Sequence, residues 1–505
     1  MITTNKFIDT AIEKGIILLL IFTPLAFGTV QPWSVAVMEI TAFSIFFLLI
    51  LKKCLQTFEQ PATGHYEKQN DALSVRDAIT RFVTPRPEGP RQSQTLTCLF
   101  ILFAALILLI LFQMLPLPDF LLQIISPAAL ETYRKFGDYA AGAFHPVSIN
   151  PYATRQELFK LLSYAAVFFV IADHYRTRAQ VNALVKTILY MGCFLVVFAV
   201  IQKMTWNGRV FWIYPVDEAL STGMRIWGPY INYNHFAGYM GMAIPLGMGL
   251  LLYTAPRVTA LPGVPLRKRI ARFLASDKLA PFTLLFLIVL IMAASLLMSL
   301  SRGGILGFVF SSLFFAWITH SRRSLRRKTA LIAVLAAVIF AAVVLAAWER
   351  LEQRFADLEQ DHLSRLHVWE DSLGIVRDYP VLGTGLGTFE SAYMRYQTKM
   401  PRLLFDHAHN DYLEIVTDTG VIGFLFAMGM ALFFFLSLFK RWKKKHSMFG
   451  KCIGAGGLSA CIAISVHSFT DFNLHIPANA LLLTVIAGIT YAAVYNVSES
   501  REHGA

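Results

Sequence analysis

The sequence is poor in charged residues. Only 15% of its 505 residues are Asp, Glu, Lys or Arg, whereas 56% are hydrophobic. A soluble globular chain carries roughly a quarter charged residues. Because the missing charge leaves long apolar runs, the composition excludes an ordinary soluble protein and predicts an integral membrane protein.

Cysteine is also scarce. The five cysteines lie in or beside apolar runs, and they form no Cys-x-x-Cys pair. The sequence therefore predicts neither a disulfide framework nor a cysteine-ligated zinc site.

The apolar runs are long enough to cross a bilayer many times, since one helical span needs roughly 20 residues. About twelve spans are expected by this length criterion. They lie at residues 14–31, 34–51, 95–115, 157–173, 181–202, 233–254, 280–300, 303–319, 329–348, 413–439, 453–470 and 477–495.

The basic residues, which give a net charge of +13, cluster in alternate short loops. This placement follows the positive-inside rule if both chain termini are cytoplasmic, and it argues against a nucleic-acid partner. The expected layout has N-terminal transmembrane helices at 1–52, a cytoplasmic loop at 53–94, a transmembrane core at 95–348, a periplasmic loop at 349–412 and C-terminal transmembrane helices at 413–505. No internal repeat or separate soluble domain is evident.

Two arginines are expected at the outer ends of helices. Arg302 stands in Ser-Arg-Gly-Gly where a new helix begins, and an arginine beside a helix N-terminus suits a phosphate group. An arginine reaching lipid headgroups is an equally good interpretation. Arg225 precedes another helix. Asn232 or Asn234 is expected to cap that helix, and His235 comes directly after them in the sequence. Two guanidinium groups suit the two phosphates of a diphosphate.

A third polar cluster ends the long outer loop, in the order Asp406, His407, Ala408, His409, Asn410 and Asp411. Histidine accepts or donates a proton near neutral pH, so either histidine is a candidate base for group transfer. The His-x-His spacing also resembles metal ligands, but no third or fourth ligand is evident locally, and a base is favoured. Asp471 and His475, in a later outer turn, are weaker candidates for the same site, and Arg365 more simply lies on a solvated helix face.

These motifs together resemble the bacterial superfamily of O-antigen ligases and O-antigen or exopolysaccharide polymerases, which are membrane glycosyltransferases. The resemblance rests on Ser301 to Gly304, on Arg225 before the Asn-Tyr-Asn-His segment, and on His409-Asn410 followed after nine residues by Gly420-Val-Ile-Gly. It covers most of the chain from about residue 95, as the extent of the matching motifs and spans indicates.

The resemblance implies a GT-C-like, all-α membrane fold of the bacterial inner membrane with a periplasmic active site. The donor would be a glycan on undecaprenyl diphosphate, bound by Arg225 and Arg302. His409 would activate an acceptor hydroxyl on lipid A-core for an inverting transfer that needs no metal or other cofactor. His407, Asn410, Asp406, Asn234, His235, Arg365, Asp471 and His475 are the supporting or acceptor-side candidates.

Alternatives remain open at this point. The Leu-Pro-Leu-Pro segment before residue 119 and the segment 150–155 are similar to those of polymerase-like members, whose acceptor is another lipid-linked glycan. Which of His407 and His409 is the base is also open. A polysaccharide-lipid transporter would favour ionisable residues at mid-membrane. A non-catalytic envelope scaffold would not need the outer arginines and histidines.

Overall fold

The computed structural model describes residues 2–59, 90–137, 144–215, 227–255, 267, 277, 279–322, 325, 358–399 and 403–497. Within these residues the chain is almost entirely helical, and its strands are two short antiparallel pairs. Nine of the described helices are long and apolar enough to cross a membrane. The expectation of an all-α integral membrane protein is therefore confirmed.

The α-helices are α1 Ile2–Leu25, α2 Pro32–Glu59, α3 Pro90–Met114, α4 Asp119–Ile125, α5 Pro127–Phe136, α6 Pro151–His174, α7 Arg178–Met204, α8 Tyr233–Thr254, α9 Leu279–Met298, α10 Arg302–His320, α11 Leu358–Asp378, α12 Phe389–Tyr393, α13 Asp411–Lys444, α14 Met448–His467 and α15 Pro477–Tyr491. Strand β1 Leu117–Pro118 pairs with β2 Phe144–His145, and β3 Arg209–Val210 pairs with β4 Tyr214–Pro215. Short 3-10 helices cover Phe27–Thr29, Gly228–Tyr230 and Asn473–His475, and a π-helix covers Ala492–Asn496.

Most of the expected spans fall on described helices, and the span at 329–348 lies outside the described residues. The spans at 14–31 and 157–173 fall on α1 and α6, which are not among the nine apolar helices. The total of twelve spans thus stays a prediction. Helix α2 ends at Glu59 and helix α3 begins at Pro90, so both helices overlap the segment 53–94, which was expected to be a loop.

The bundle is centred on α8, which is largely buried and packs against α10, α14, α9 and α15. Glycine allows α8 and α14 to approach closely, since a Cβ atom added to Gly456 would lie 2.7 Å from the Pro245 carbonyl oxygen. Close backbone approach through small residues is how helices pack when lipid removes the hydrophobic drive between them. The N-termini of α8, α10, α13 and α15 meet the C-terminus of α14 at one end of this core, called the site end below.

A second, smaller core lies beside the bundle and is called the helical cap. It is formed by α4, α5, α11 and α12 with strands β1 and β2, and its buried residues include Leu122, Val368, Ile375, Phe389 and Ala408. Helices α4 and α5 lie between the expected spans 95–115 and 157–173, and α11 and α12 lie in the expected loop 349–412. Since Ala408 belongs to this core, the cap holds the chain that leads into α13.

Candidate functional site

The site begins where α13 starts. The Asn410 side chain caps this helix by accepting hydrogen bonds from the backbone N–H groups of Tyr412, at 3.1 Å, and Leu413, at 3.2 Å. Its assignment as an acceptor-side residue is therefore matched by a structural role. His409, just before the cap, has a φ of 51°, which is uncommon for a residue with a side chain. Such strain at a polar position is typical of functional sites.

His409 forms a pair with Asp471 from the turn between α14 and α15. Its Nδ1 lies 3.3 Å from Asp471 Oδ1, and the same oxygen accepts the backbone N–H of Phe472 at 2.9 Å. The Asp471 carboxyl is fully buried, which opposes its ionisation, but the hydrogen bond from His409 and the nearby charges of His235, His409 and Arg365 outweigh burial and hold its pKa below the usual range. Since Asp471 occupies Nδ1, the other imidazole nitrogen of His409, Nε2, remains for other partners.

The second histidine of the motif belongs to a different group of side chains. His407 Nδ1 lies 2.6 Å from Glu414 Oε1, and His475 Nε2 lies 3.3 Å from the same oxygen. His475 Nδ1 lies 2.9 Å from Asp411 Oδ1. Burial lowers the basicity of His475, but the carboxylates of Glu414 and Asp411 outweigh it and raise the pKa of His475 to about 10.

The Phe472 ring separates these two groups. It stacks on His407, with ring centroids 4.2 Å apart, and contacts the edges of His409 and His235 at 4.9 and 4.8 Å. Three histidines from two segments, the chain before α13 and the start of α8, therefore surround one buried aromatic ring. His407 and His409 are kept apart, so that only His409 pairs with Asp471.

Arg302 is the first residue of α10, at the same end of the bundle. Ser301 caps α10, and its Oγ lies 3.4 Å from His467 Nε2 at the end of α14. A Cβ atom on Gly303 would lie 2.7 Å from the His467 ring and would also collide with Thr470, so α10 begins against the turn that carries Asp471. Arg302 is half-buried and stands between Ser301 and Gly303, at the start of a helix that packs against the turn of Asp471.

Arg365 is tied to the same turn. Its guanidinium Nη1 donates to the Thr470 carbonyl oxygen at 2.7 Å. The interpretation of Arg365 as a solvated residue is wrong, because the side chain is half-buried and bridges the helical cap to the site end. Arg365 therefore brings positive charge to the turn that carries Asp471.

The start of α8 packs against the turn between α14 and α15. Asn232 caps α8 by accepting the Asn234 backbone N–H at 2.8 Å, so the cap is Asn232 and not Asn234. His235 is buried, and its carbonyl oxygen accepts the Asn479 side chain at 2.9 Å. Asn479 also donates to Asn473 at 3.0 Å. These bonds fix the turn between α14 and α15 against α8.

Two of the predicted site residues need separate mention. Arg225 lies outside the described residues, so its place at the site stays a prediction. Asp406 is exposed, and among the described residues it makes no hydrogen bond with the His407 or His409 groups. Phe472 and Glu414 were not among the predicted site residues, because neither shows a local motif.

The glycine-rich turn 380–387 contacts the backbone of α13, the helix that begins at the site. Its backbone N–H groups at Thr384 and Gly385 donate to the carbonyl oxygens of Thr417 and Asp418, both at 2.9 Å. Gly420 leaves helical geometry here, with φ 64° and ψ −173°, which kinks α13 and frees those carbonyl groups for the turn. The turn therefore packs against α13 at its kink and stabilises it. This explains physically why a glycine stands at the start of the Gly-x-x-Gly motif.

Comparison with known proteins gives one match to a protein family. No curated protein matches the chain. Residues 287–428 match the model of the family described as O-antigen ligase. The matched segment contains Arg302, His409 and the Gly-x-x-Gly motif, whereas Asp471 and His475 follow it. This match confirms the resemblance over residues 287–428, so the segment from α9 to the middle of α13 is similar to the O-antigen ligase family.

Proposed function

We propose that this membrane protein transfers a glycan from undecaprenyl diphosphate to an acceptor hydroxyl, with lipid A-core as the acceptor. The proposal places the protein in the bacterial inner membrane, with both termini cytoplasmic and the site end periplasmic. The observation that carries the proposal is the pair of His409 and Asp471 beside the start of α10 with Arg302. A base and fixed positive charge are what this reaction needs.

The base in this proposal is His409. Its Nδ1 faces Asp471, so Nε2 takes the proton of the acceptor hydroxyl as the hydroxyl oxygen bonds to the anomeric carbon. Asp471 fixes the tautomer and stabilises the imidazolium that forms. Its second oxygen, Oδ2, is buried with no hydrogen-bond partner among the described residues, which keeps the negative charge of the carboxylate available to His409.

The bond from the anomeric carbon to the diphosphate oxygen breaks as the new bond forms from the opposite face, so the configuration inverts. The leaving diphosphate gains charge in this step, and fixed cationic donors lower its energy without a divalent ion. Arg302 has this role in the proposal, because it is the first residue of α10, which packs through Gly303 against the turn of Asp471. Arg225 is the proposed second donor on sequence grounds. Hydrogen bonds between charged groups contribute about 1.5–3 kcal/mol each.

A polymerase is the alternative function. It uses the same chemistry, but its acceptor is a second lipid-linked glycan. The observation that favours it is the way the polymerase-like segments support the cap. Residue Asn150 caps α6 and its side chain donates to Ser391 Oγ of α12 at 3.2 Å, while Leu117 pairs with β2. These segments therefore contact the helical cap, which in this alternative binds the second lipid-linked glycan.

The experiment that separates these functions is a transfer assay in EDTA. Purified full-length protein is mixed with the cognate undecaprenyl-diphosphate glycan, with or without lipid A-core. Product that forms only with lipid A-core supports the ligase, and a ladder of longer lipid-linked glycans without it supports the polymerase. No product from folded protein with cognate donor and either acceptor contradicts both, and it favours a transporter or a scaffold.

A further inference from the structure

Three side chains beside the His409 pair converge in a way that glycan transfer does not use. They come from three segments: His407 from the chain before α13, Glu414 from the first turn of α13, and His475 from the turn between α14 and α15. One ligand atom from each lies within 4.8 Å of the other two. No two of them are sequence neighbours, so the fold itself brings them together.

Two imidazoles and one carboxylate are a ligand set with a specific chemistry. This set binds zinc at sites that keep a fourth position open. Zinc bonds of about 2.0–2.2 Å in a tetrahedron put neighbouring ligand atoms about 3.4 Å apart. Glu414 Oε1 lies 3.3 Å from His475 Nε2, near that spacing, and 2.6 Å from His407 Nδ1. Because all three ligand atoms lie within 4.8 Å of one another, side-chain shifts of the two imidazoles bring them around one ion.

A fourth residue orients one of the ligands. Asp411 Oδ1 lies 2.9 Å from His475 Nδ1, which leaves Nε2 directed at Glu414. Metal-binding histidines usually give their second nitrogen to a carboxylate in this way, which fixes the ring and raises its basicity. The Asp411 carboxylate is itself held by the backbone N–H of Leu474, at 3.2 and 3.3 Å.

Burial of the carboxylates is compatible with a bound cation. Glu414 and Asp411 are 1% and 0% exposed, and buried carboxylates so near each other are stable only beside positive charge, which protonated histidines or a bound cation can supply. His407 closes the group on the accessible side, since its side chain is 25% exposed. An ion therefore has a route to the buried carboxylate past His407.

We propose that His407, Glu414 and His475 form a binding site for a divalent cation of the zinc type, with Asp411 as the outer partner of His475. The ion joins the end of the helical cap, the start of α13 and the turn between α14 and α15. The same turn carries the partner of His409, but transfer in the proposed reaction does not require the ion, whose role is to stabilise the packing of these three segments. This role is structural and goes beyond the transfer reaction.

Zinc binding to the full-length protein in detergent tests the site directly. The protein, with any polyhistidine tag removed, is stripped with EDTA and dialysed against Zn²⁺, and bound zinc is counted by elemental analysis. Titration with Co²⁺, read by its visible absorption, reports the ligand set. His367→Gln is the matched control, because His367 lies in α11 and pairs with Lys399 at 2.9 Å, away from the three ligands.

We expect one tightly bound zinc in the wild type and in His367→Gln. His407→Gln, which changes a half-exposed side chain, loses that zinc, and Asp411→Asn weakens its affinity about 10- to 100-fold as loss of an outer partner does. Zinc raises the melting temperature of the wild type but not of His407→Gln. Equal zinc content in His407→Gln and the control, or no tight zinc in the wild type, overturns the proposal. Neither readout depends on glycan transfer, so the two proposals fail separately.

Discussion

Replacing Asp471 by asparagine removes the negative charge beside His409 while keeping the size of the side chain. The amide oxygen can still accept the backbone N–H of Phe472, now at 2.9 Å from Oδ1, so the turn is expected to keep its shape. What is lost is the charge-assisted bond to His409 Nδ1, whose length is 3.3 Å. The substitution thus separates the electrostatic role of Asp471 from its structural role.

The size of the effect follows from that bond. A hydrogen bond to a charged group contributes about 1.5–3 kcal/mol. At about 1.4 kcal/mol per tenfold in rate, its loss slows transfer roughly 10- to 100-fold. Removing the base itself, in His409→Ala, costs about 10²- to 10⁴-fold. Because Asp471 acts through His409, the double variant is expected to be no slower than His409→Ala alone.

The assay is single-turnover transfer from the cognate undecaprenyl-diphosphate glycan at saturating acceptor. Asp371→Asn is the matched control, because Asp371 also accepts hydrogen bonds, from Tyr393 at 3.2 Å and Thr398 at 3.0 Å, but within the helical cap. This control is expected to change stability and not the rate of the bound complex. A wild-type rate in Asp471→Asn, or rate losses that multiply in the double variant, would refute the pairing of Asp471 with His409.

Three further predictions concern the same region. His409→Gln is expected to abolish transfer, whereas His407→Gln in zinc-free buffer retains most of it; the reverse order in the transfer assay would make His407 the base. Gly420→Ala is expected to destabilise the protein by about 1–3 kcal/mol, because its backbone angles, φ 64° and ψ −173°, are open only to glycine. The control Gly429→Ala lies in the same helix, where a Cβ atom meets open space, and it is expected to leave the melting temperature unchanged. Equal melting temperatures of the two variants would contradict the kink at Gly420. Folding lowers the pKa of Asp471, so its ionised form stabilises the protein above the unfolded pKa and this contribution is lost as the pH falls through the lower folded value. The difference in melting temperature between wild type and Asp471→Asn should thus stay constant between about pH 5 and pH 8 and shrink only below about pH 4; a difference that already falls near neutral pH would contradict a depressed pKa.

Local patterns in the sequence predicted the helices and their starts. Apolar runs of bilayer length became helices because lipid leaves the backbone few other ways to satisfy its polar groups. The caps at Ser301, Asn232 and Asn410 follow from side chains that accept the first free N–H groups of a helix, a signal confined to a few residues.

The pairing of the site residues could not be predicted in the same way. His409 and Asp471 are 62 positions apart, and they meet only because the turn between α14 and α15 packs against the start of α13. The separation of His407 from His409 depends on the Phe472 ring, which no polar pattern marks. From the local sequence, His407 and His409 were equally good candidates for the base. Tertiary packing gives them different partners, Glu414 for His407 and Asp471 for His409.

The role of the glycine-rich turn was also beyond the sequence. A run of glycines predicted a turn, but the partner of that turn is the backbone of α13 at its kink. Gln113 of α3 completes this contact, since its side chain donates to the carbonyl oxygens of Leu382, at 2.6 Å, and Asp418, at 2.9 Å. Such bonds join segments that are far apart in the chain, and they produce no periodic pattern in the sequence from which they could be predicted.

The most direct test of the account is to follow both products of one reaction in EDTA, with wild-type protein and His409→Gln at equal folded concentration. The account predicts that the wild type releases one undecaprenyl diphosphate for each glycan that it attaches to an acceptor hydroxyl, and that the folded variant does neither. Equal transfer by the variant would contradict His409 as the base. Folded wild-type protein that forms no glycan–acceptor product from the cognate donor, with either lipid A-core or a second lipid-linked glycan, would contradict glycan transfer itself.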